Sequence, residues 1–138
     1  MKTMNGIHII GVDHGYGNIK TANHCFKTGI LGYDSEPLFT GDMLTYGGRY
    51  YLIGEGHKGF VADKQSDEDN YILTLAAIAK ELEARGMKNA VNTARVHLAV
   101  GLPLKWVQTQ RETFRQYLMK NRMVEVRYKS RLYRLEFV

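Results

Sequence analysis

A chain of 138 residues with a formal net charge of +5 and a single cysteine has room for one hydrophobic core and cannot form an internal disulfide. Its hydrophobic and charged fractions are those of an ordinary globular domain, which excludes a disordered chain. No apolar run is long enough for a membrane helix, and no Cys-x-x-Cys or His-x-x-x-His spacing marks a transition-metal site. The expectation is one domain over 1–138, cytoplasmic because the lone thiol, Cys25, suits a reducing compartment. The positive charge allows loose attraction to nucleic acid or anionic ligands.

Ile7, Ile9, Ile10 and Val12 form a β-branched run that ends on Asp13, and Gly15-Tyr16-Gly17-Asn18 carries the glycines of a tight turn. An extended segment from Asn18 to Ala22 then carries Lys20. The pattern predicts a strand, a turn and a returning strand, with an acid on the first and a base on the second. Gly15 and Gly17 permit positive φ and close approach of a ligand to the backbone, and successive N–H groups in such a turn form an anion-binding concavity. Asp13 suits a hydrated Mg²⁺ and Lys20 suits a phosphate as a point charge. These features point to a Mg²⁺ nucleotide; spacing alone equally allows a plain hairpin with two solvated charges. Neither Gly-x-x-x-x-Gly-Lys-Ser/Thr nor a helix-opening Gly-x-Gly-x-x-Gly is present.

His24 to Lys27 is expected to add a third short strand, and Gly29, Gly32, Asp34, Ser35 and Pro37 mark a connection. Met43, Leu44 and Tyr46 face Tyr50, Tyr51, Leu52 and Ile53 across Gly47-Gly48, a hairpin signal. Gly54 to Val61, with His57 and Lys58, reads as a glycine-rich loop that either borders the nucleotide cleft or simply connects. The acids from Asp63 to Asp69 suit the first turn of a helix. In that helix Ile72, Leu75, Ala76, Ala79 and Leu82 recur at three- and four-residue intervals, Ile78 widens the stripe, and Lys80, Glu81, Glu83 and Arg85 point elsewhere. One face is therefore expected to be buried, and Gly86 supplies the stop.

Arg95 to Val100 reads as a central strand ended by Gly101-Leu102-Pro103, with His97 a core or face-alternating residue. A second helix is expected from about Leu104 to Lys120, with Trp106 near its start and Val107, Phe114, Tyr117 and Leu118 inward. The end is a basic hairpin: Val124, Val126 and Tyr128 alternate with Glu125, Arg127 and Lys129, and beyond a turn near Ser130, Tyr133, Leu135 and Phe137 alternate with Arg134 and Glu136. Its positive charge serves a nucleic-acid or filament contact, or guards an edge against strand addition.

Asp13-His14-Gly15-Tyr16-Gly17-Asn18-Ile19-Lys20 resembles the first phosphate motif of the actin-like ATPases, the superfamily of actin, sugar kinases and heat-shock chaperone ATPase domains. The version here is similar to that of the plasmid-segregation actins of the ParM/StbA family. Gly54-Glu55-Gly56 and Val100-Gly101-Leu102-Pro103 add to the resemblance, which covers nearly the whole chain. It implies an α/β fold, a ribonuclease-H-like actin-type half-domain with a mixed sheet, flanking helices and an extra β-hairpin. It also implies that Asp13 orients the water shell of Mg²⁺, that the backbone of Gly15, Tyr16, Gly17 and Asn18 cradles phosphate, and that Lys20 reaches a phosphate oxygen of ATP. Many members carry a small hydroxyl residue where this chain has Tyr16.

By the same resemblance the chain is the N-terminal part of a longer protein whose second phosphate loop, adenosine pocket and water-activating acid lie beyond Val138. The parent would assemble with itself into filaments, hydrolyse ATP and move plasmids through a DNA-bound adaptor, with no membrane partner. The chain alone, carrying no assigned catalytic residue, is expected not to hydrolyse ATP. A sugar-kinase-like phosphotransferase is the competitor within the superfamily, and a basic nucleic-acid-binding module using the 120–134 region is the competitor outside it.

Overall fold

The computed structural model describes residues 3–15, 17–36, 43–57, 64–102, 108–120 and 122–138. The strands are β1 (Thr3–Met4), β2 (Ile7–His14), β3 (Asn18–Lys20), β4 (Cys25–Lys27), β5 (Gly29–Tyr33), β6 (Met43–Tyr46), β7 (Arg49–His57), β8 (Val91–Gly101), β9 (Met123–Tyr128) and β10 (Arg131–Phe137). The helices are α1 (Lys64–Ala84) and α2 (Gln108–Lys120). All the strands join one ten-stranded sheet in the order β4-β3-β2-β8-β10-β9-β6-β7-β5, with β1 added beside β2. The sheet is mixed: β2 with β8 and β8 with β10 run parallel, and the other pairs are antiparallel. Parallel neighbours need crossovers, and the segments that supply them contain α1 and α2.

β4 and β5 stand at opposite ends of the sheet order, yet only Thr28 separates them in sequence. The sheet must therefore curl until its ends meet, and α1 lies inside the curl, touching β2, β3, β9 and α2. From Tyr71 to Leu82 no residue is more than 7% exposed. The one-faced helix expected from the apolar stripe is thus corrected, since Lys80 and Glu81 are buried too. Each has partners that its sequence neighbours do not reveal. The Lys80 ammonium lies 5.1 Å from the Phe26 ring centroid and 5.3 Å from that of Tyr128, and Glu81 meets Asn23 and Arg85. Buried charge is tolerated when such partners exist.

The turns follow the glycines. Gly47 and Gly48 both take positive φ, 59° and 79°, as a two-residue hairpin between right-twisted strands requires. Gly86, at φ 96°, stops α1: its N–H donates to Glu83 O and the Met87 N–H donates to Leu82 O, both at 3.0 Å. That pair of bonds satisfies carbonyls the helix leaves open. The turn near Ser130 is present, with Lys129 and Ser130 at φ 50° and 68°.

Two expected connections are strands instead. Gly29–Tyr33 is β5, paired with β7, and Gly54 to His57 continues β7. Between Gly29↔His57 and Ile30↔Ile53 the register jumps, so Gly54-Glu55-Gly56 is a bulge within β7, with Gly54 at φ 84°. Glycine marks a bulge as readily as a loop. The remainder of that segment, Lys58 to Val61, lies outside the described residues, as do Pro37 and the expected beginning of the second helix, including Trp106 and Val107. Within α2, Phe114 is buried and Tyr117 and Leu118 are half-buried. β8 starts at Val91, four residues before the expected strand, and it is central, between β2 and β10.

Candidate functional site

Alternation along β2 decides which side chains face a ligand and which face the core. Ile10, Val12 and His14 are buried, whereas Gly11 and Asp13 are exposed. Asp13 lies directly opposite Lys20 on β3 and opposite Gly101 on β8. Cross-strand partners project to one face, so Asp13 and Lys20 share the open side of the sheet, as expected. They border a depression of about 440 Å³ that also meets Gly11, Thr21, Ala99 and Gly101. Among the described residues neither charge has a hydrogen bond or an ion pair. Gly101 comes close here: a Cβ on it would stand 3.1 Å from Asp13 Oδ1, so the carboxylate would have to shift by a few tenths of an ångström.

The turn between β2 and β3 differs from expectation. Neither Gly15 nor Gly17 takes positive φ. Gly15 is required by a close approach, since a Cβ there would lie 3.0 Å from Asn18 O. Its N–H donates to that carbonyl at 2.9 Å, so it closes the hairpin and is already engaged within the turn. Thr28 braces the turn from the other side: its N–H donates to Gly17 O at 2.9 Å and its hydroxyl to Gly15 O at 3.5 Å. Gly17 and Asn18 are exposed, and Tyr16 lies outside the described residues.

His14 anchors the end of β2 on the helix side. Its Nε2 lies 2.8 Å from the Thr74 hydroxyl, and that hydroxyl donates to Asn70 O at 2.8 Å. A hydroxyl has one proton to give, so the ring must be the donor and carries its hydrogen on Nε2. Nδ1 is then a buried lone pair with no hydrogen-bond partner among the described residues. The ring packs edge-on against Phe114, with centroids 5.6 Å apart. Burial lowers the His14 pKa to about 4, against a smaller upward pull from the Asp13 carboxylate.

Sequence reasoning placed Asp13, Lys20 and the turn, and missed Gly11, Thr21 and Ala99, whose only signal was strand alternation. It missed Glu81 and Arg85 as buried groups behind the site. A larger cavity of about 720 Å³, with Leu98, Val100, Phe114 and Leu118 among its lining, includes neither Asp13 nor Lys20. Three of the basic residues of the hairpin lie beside acids: Arg131 lies 2.6 Å and Lys129 3.9 Å from Glu83, and Arg134 lies 3.3 Å from Glu125. Among the described residues no three histidines, cysteines or acids gather to hold a metal, so Asp13 stands as a lone carboxylate.

The fold occurs in solved structures. The ParM protein of pSK41, in its apo form, superposes with a TM-score of 0.65 at 15% identity, covering 96% of this chain and 48% of its own. An AlfA filament bound to AMPPNP gives 0.67 at 16% identity, covering 95% and 52%. ParM from Bacillus thuringiensis with ATP gives 0.55 at 12% identity, covering 97% and 44%. The chain thus spans about half the length of these proteins. No curated protein matches its sequence. The family profile described as the N-terminal domain of actin-like proteins matches residues 11–137. With the mixed curled sheet, the Asp13 to Lys20 hairpin and that match, the chain belongs to the actin-like proteins and carries their N-terminal domain.

Proposed function

We propose that the depression between Asp13 and Lys20 binds the phosphates of Mg²⁺·ATP, and that this chain is the nucleotide-binding half of a filament-forming plasmid-segregation ATPase of the ParM type. The observation that carries the reading is the placement on adjacent strands of an acid and a base that have no hydrogen bond or ion pair among the described residues, over a floor of Gly11, Ala99 and Gly101 that leaves room for a ligand. Neighbouring folds captured with AMPPNP and with ATP support it.

In this reading Lys20 acts as a point charge toward a phosphate oxygen. Tyr16, Gly17 and Asn18 offer backbone to the phosphates, while Gly15 holds the turn in shape. A lone carboxylate fits Mg²⁺ through its water shell, because this ion keeps several waters and needs few direct protein ligands. The ion, when bound, would neutralise phosphate charge. Hydrolysis of ATP depends on positioning and electrostatics, and among the described residues no acid, base or histidine lines the depression apart from Asp13 and Lys20. This half is therefore proposed to bind without turnover. Self-assembly into filaments, as in the AlfA relative, a DNA-bound adaptor and a cytoplasmic setting complete the proposal.

The test is equilibrium binding of ATP to the chain with Mg²⁺ and with EDTA, for wild type, Asp13→Ala and Lys20→Ala. Mg²⁺-dependent binding that both substitutions weaken, with melting temperatures unchanged, is expected. Binding indifferent to Mg²⁺ and to both substitutions would contradict the proposal. A hydrolysis assay alongside should read no turnover; robust activity lost in Asp13→Ala would make this half a complete enzyme.

A further inference from the structure

The strands that carry Asp13 and Lys20 are held from behind by Glu81 of α1 and by Arg85, the residue that follows its last turn, and their part in ligand binding rests on the nucleotide reading above. Glu81 is 1% exposed. Its carboxylate accepts the Asn23 backbone N–H at 3.2 Å and Asn23 Nδ2 at 2.6 Å. Asn23 sits in the turn between β3 and β4, which is closed by the Thr21 N–H donating to His24 O at 2.8 Å and by the His24 N–H donating to the Thr21 hydroxyl at 3.1 Å. Lys20 is the residue immediately before that turn. Four residues on, just past the end of α1, Arg85 Nε lies 3.4 Å from Glu81 Oε2. Arg85 Nη2 donates to Ile9 O at 2.8 Å, and Nη1 lies 3.2 Å from His8 Nδ1. His8 and Ile9 belong to β2, the strand of Asp13.

We propose that the Glu81–Arg85 pair positions the phosphate site: Arg85 grips β2, Glu81 grips the β3–β4 turn, and together they fix the spacing of Asp13 from Lys20. The need for such a device follows from the strands. β3 and β4 have three residues each, and β3 meets β2 through two residue pairs. So short a ladder is weak by itself. Stability alone does not explain the charges, because an apolar pair of similar volume in a buried site is often as stable or more so. What an ion pair with fixed hydrogen bonds adds is direction. Glu81 has the charge for this role. Burial pushes its carboxyl up, but hydrogen bonds from Thr21 and Asn23 and the Arg85 charge outweigh that and hold it below the usual carboxylate range. It is therefore ionised at neutral pH.

The pair touches no ligand and acts through Lys20, which makes it separable from a structural role. The experiment is a double-mutant cycle on the full 138-residue chain, with Mg²⁺·ATP as probe and calorimetry as readout. Asn23→Ala removes the Nδ2 hydrogen bond to Glu81 at an exposed position and leaves the backbone N–H bond and the bonds that close the turn, so the fold is kept, and Glu81→Gln removes the charge. Each is expected to weaken binding roughly fivefold in the wild-type background and to change nothing when Lys20 is already Ala. An equal loss in both backgrounds would assign the pair a merely structural role and overturn the inference. So would unchanged affinity in both variants while wild type binds. A wild-type chain that ignores Mg²⁺·ATP removes the nucleotide reading and this inference with it, an outcome the wild-type titration reports by itself.

Discussion

Acidification should destabilise this protein through His14. The side chain is 3% exposed, and its pKa of about 4 lies well below the 6.5 of a free imidazole. Because the folded value is the lower one, the unfolded chain binds more protons between pH 6.5 and 4. Stability is then flat above that window and falls as pH drops through it. The full difference corresponds to on the order of 3 kcal/mol, of which roughly 2 kcal/mol is lost by pH 4.5. Glu81 has the opposite chemistry but the same direction: its folded pKa is lowered, so its contribution holds above the ordinary carboxylate value and fades below it. The His14 share is isolated by His14→Gln, whose amide N–H can still reach Thr74 and does not titrate. Denaturant midpoints at pH 7, 6, 5 and 4.5 give the answer. Wild type should lose stability progressively below pH 6.5, and the variant should stay level to about pH 5. Parallel curves would refute the account of a neutral, Nε2-protonated ring locked between Thr74 and Phe114.

Gly101→Ala places a Cβ 3.1 Å from Asp13 Oδ1 and should weaken Mg²⁺·ATP roughly tenfold, about 1.4 kcal/mol, with little change in melting; unchanged affinity in a calorimetric titration would count against Asp13 as a site residue. Leu75→Ala, at a fully buried point of α1, should cost about 2–5 kcal/mol in denaturant unfolding, whereas a cost under about 1 kcal/mol would contradict a helix enclosed by the sheet. Gly86→Ala forces an L side chain into φ 96° and should cost about 1–2 kcal/mol, read from the same curves. Because Glu83 and Glu125 offset Lys129, Arg131 and Arg134, duplex DNA should bind the chain only weakly and with steep salt dependence; tight binding at physiological salt, abolished by replacing Arg127, Lys129 and Arg131 with Ala, would revive the basic hairpin as the working surface.

The parts legible in the sequence were those governed by local chemistry. Ile7 to Asp13 alternates as a strand, Gly47-Gly48 demands its turn, and Gly86 ends its helix, each through neighbours in the chain. The Asp13–Lys20 pairing followed from a hairpin so short that its register was fixed. What could not be read depended on partners distant in sequence. Lys80 and Glu81 look like solvent-facing residues until Phe26, Tyr128 and Asn23 are brought onto them. Gly29 and Gly32 look like loop until β7 supplies a strand to pair with. Asn5-Gly6, with φ 52° and 77°, carried a hairpin signal that goes with β1. His14 sits beside the site in sequence and faces away from it in space, a distinction that the period-2 alternation of β2 already contained.

The proposed function requires a Mg²⁺ nucleotide in the depression between Asp13 and Lys20. Backbone amide NMR of the 138-residue chain during titration with a non-hydrolysable Mg²⁺·ATP analogue tests it most directly. Saturable shifts confined to Gly11 through Thr21 and Ala99 through Gly101 are expected, absent when EDTA replaces Mg²⁺. Shifts centred instead on Phe114, Leu118 and Leu98, or no shifts at millimolar analogue, would contradict it.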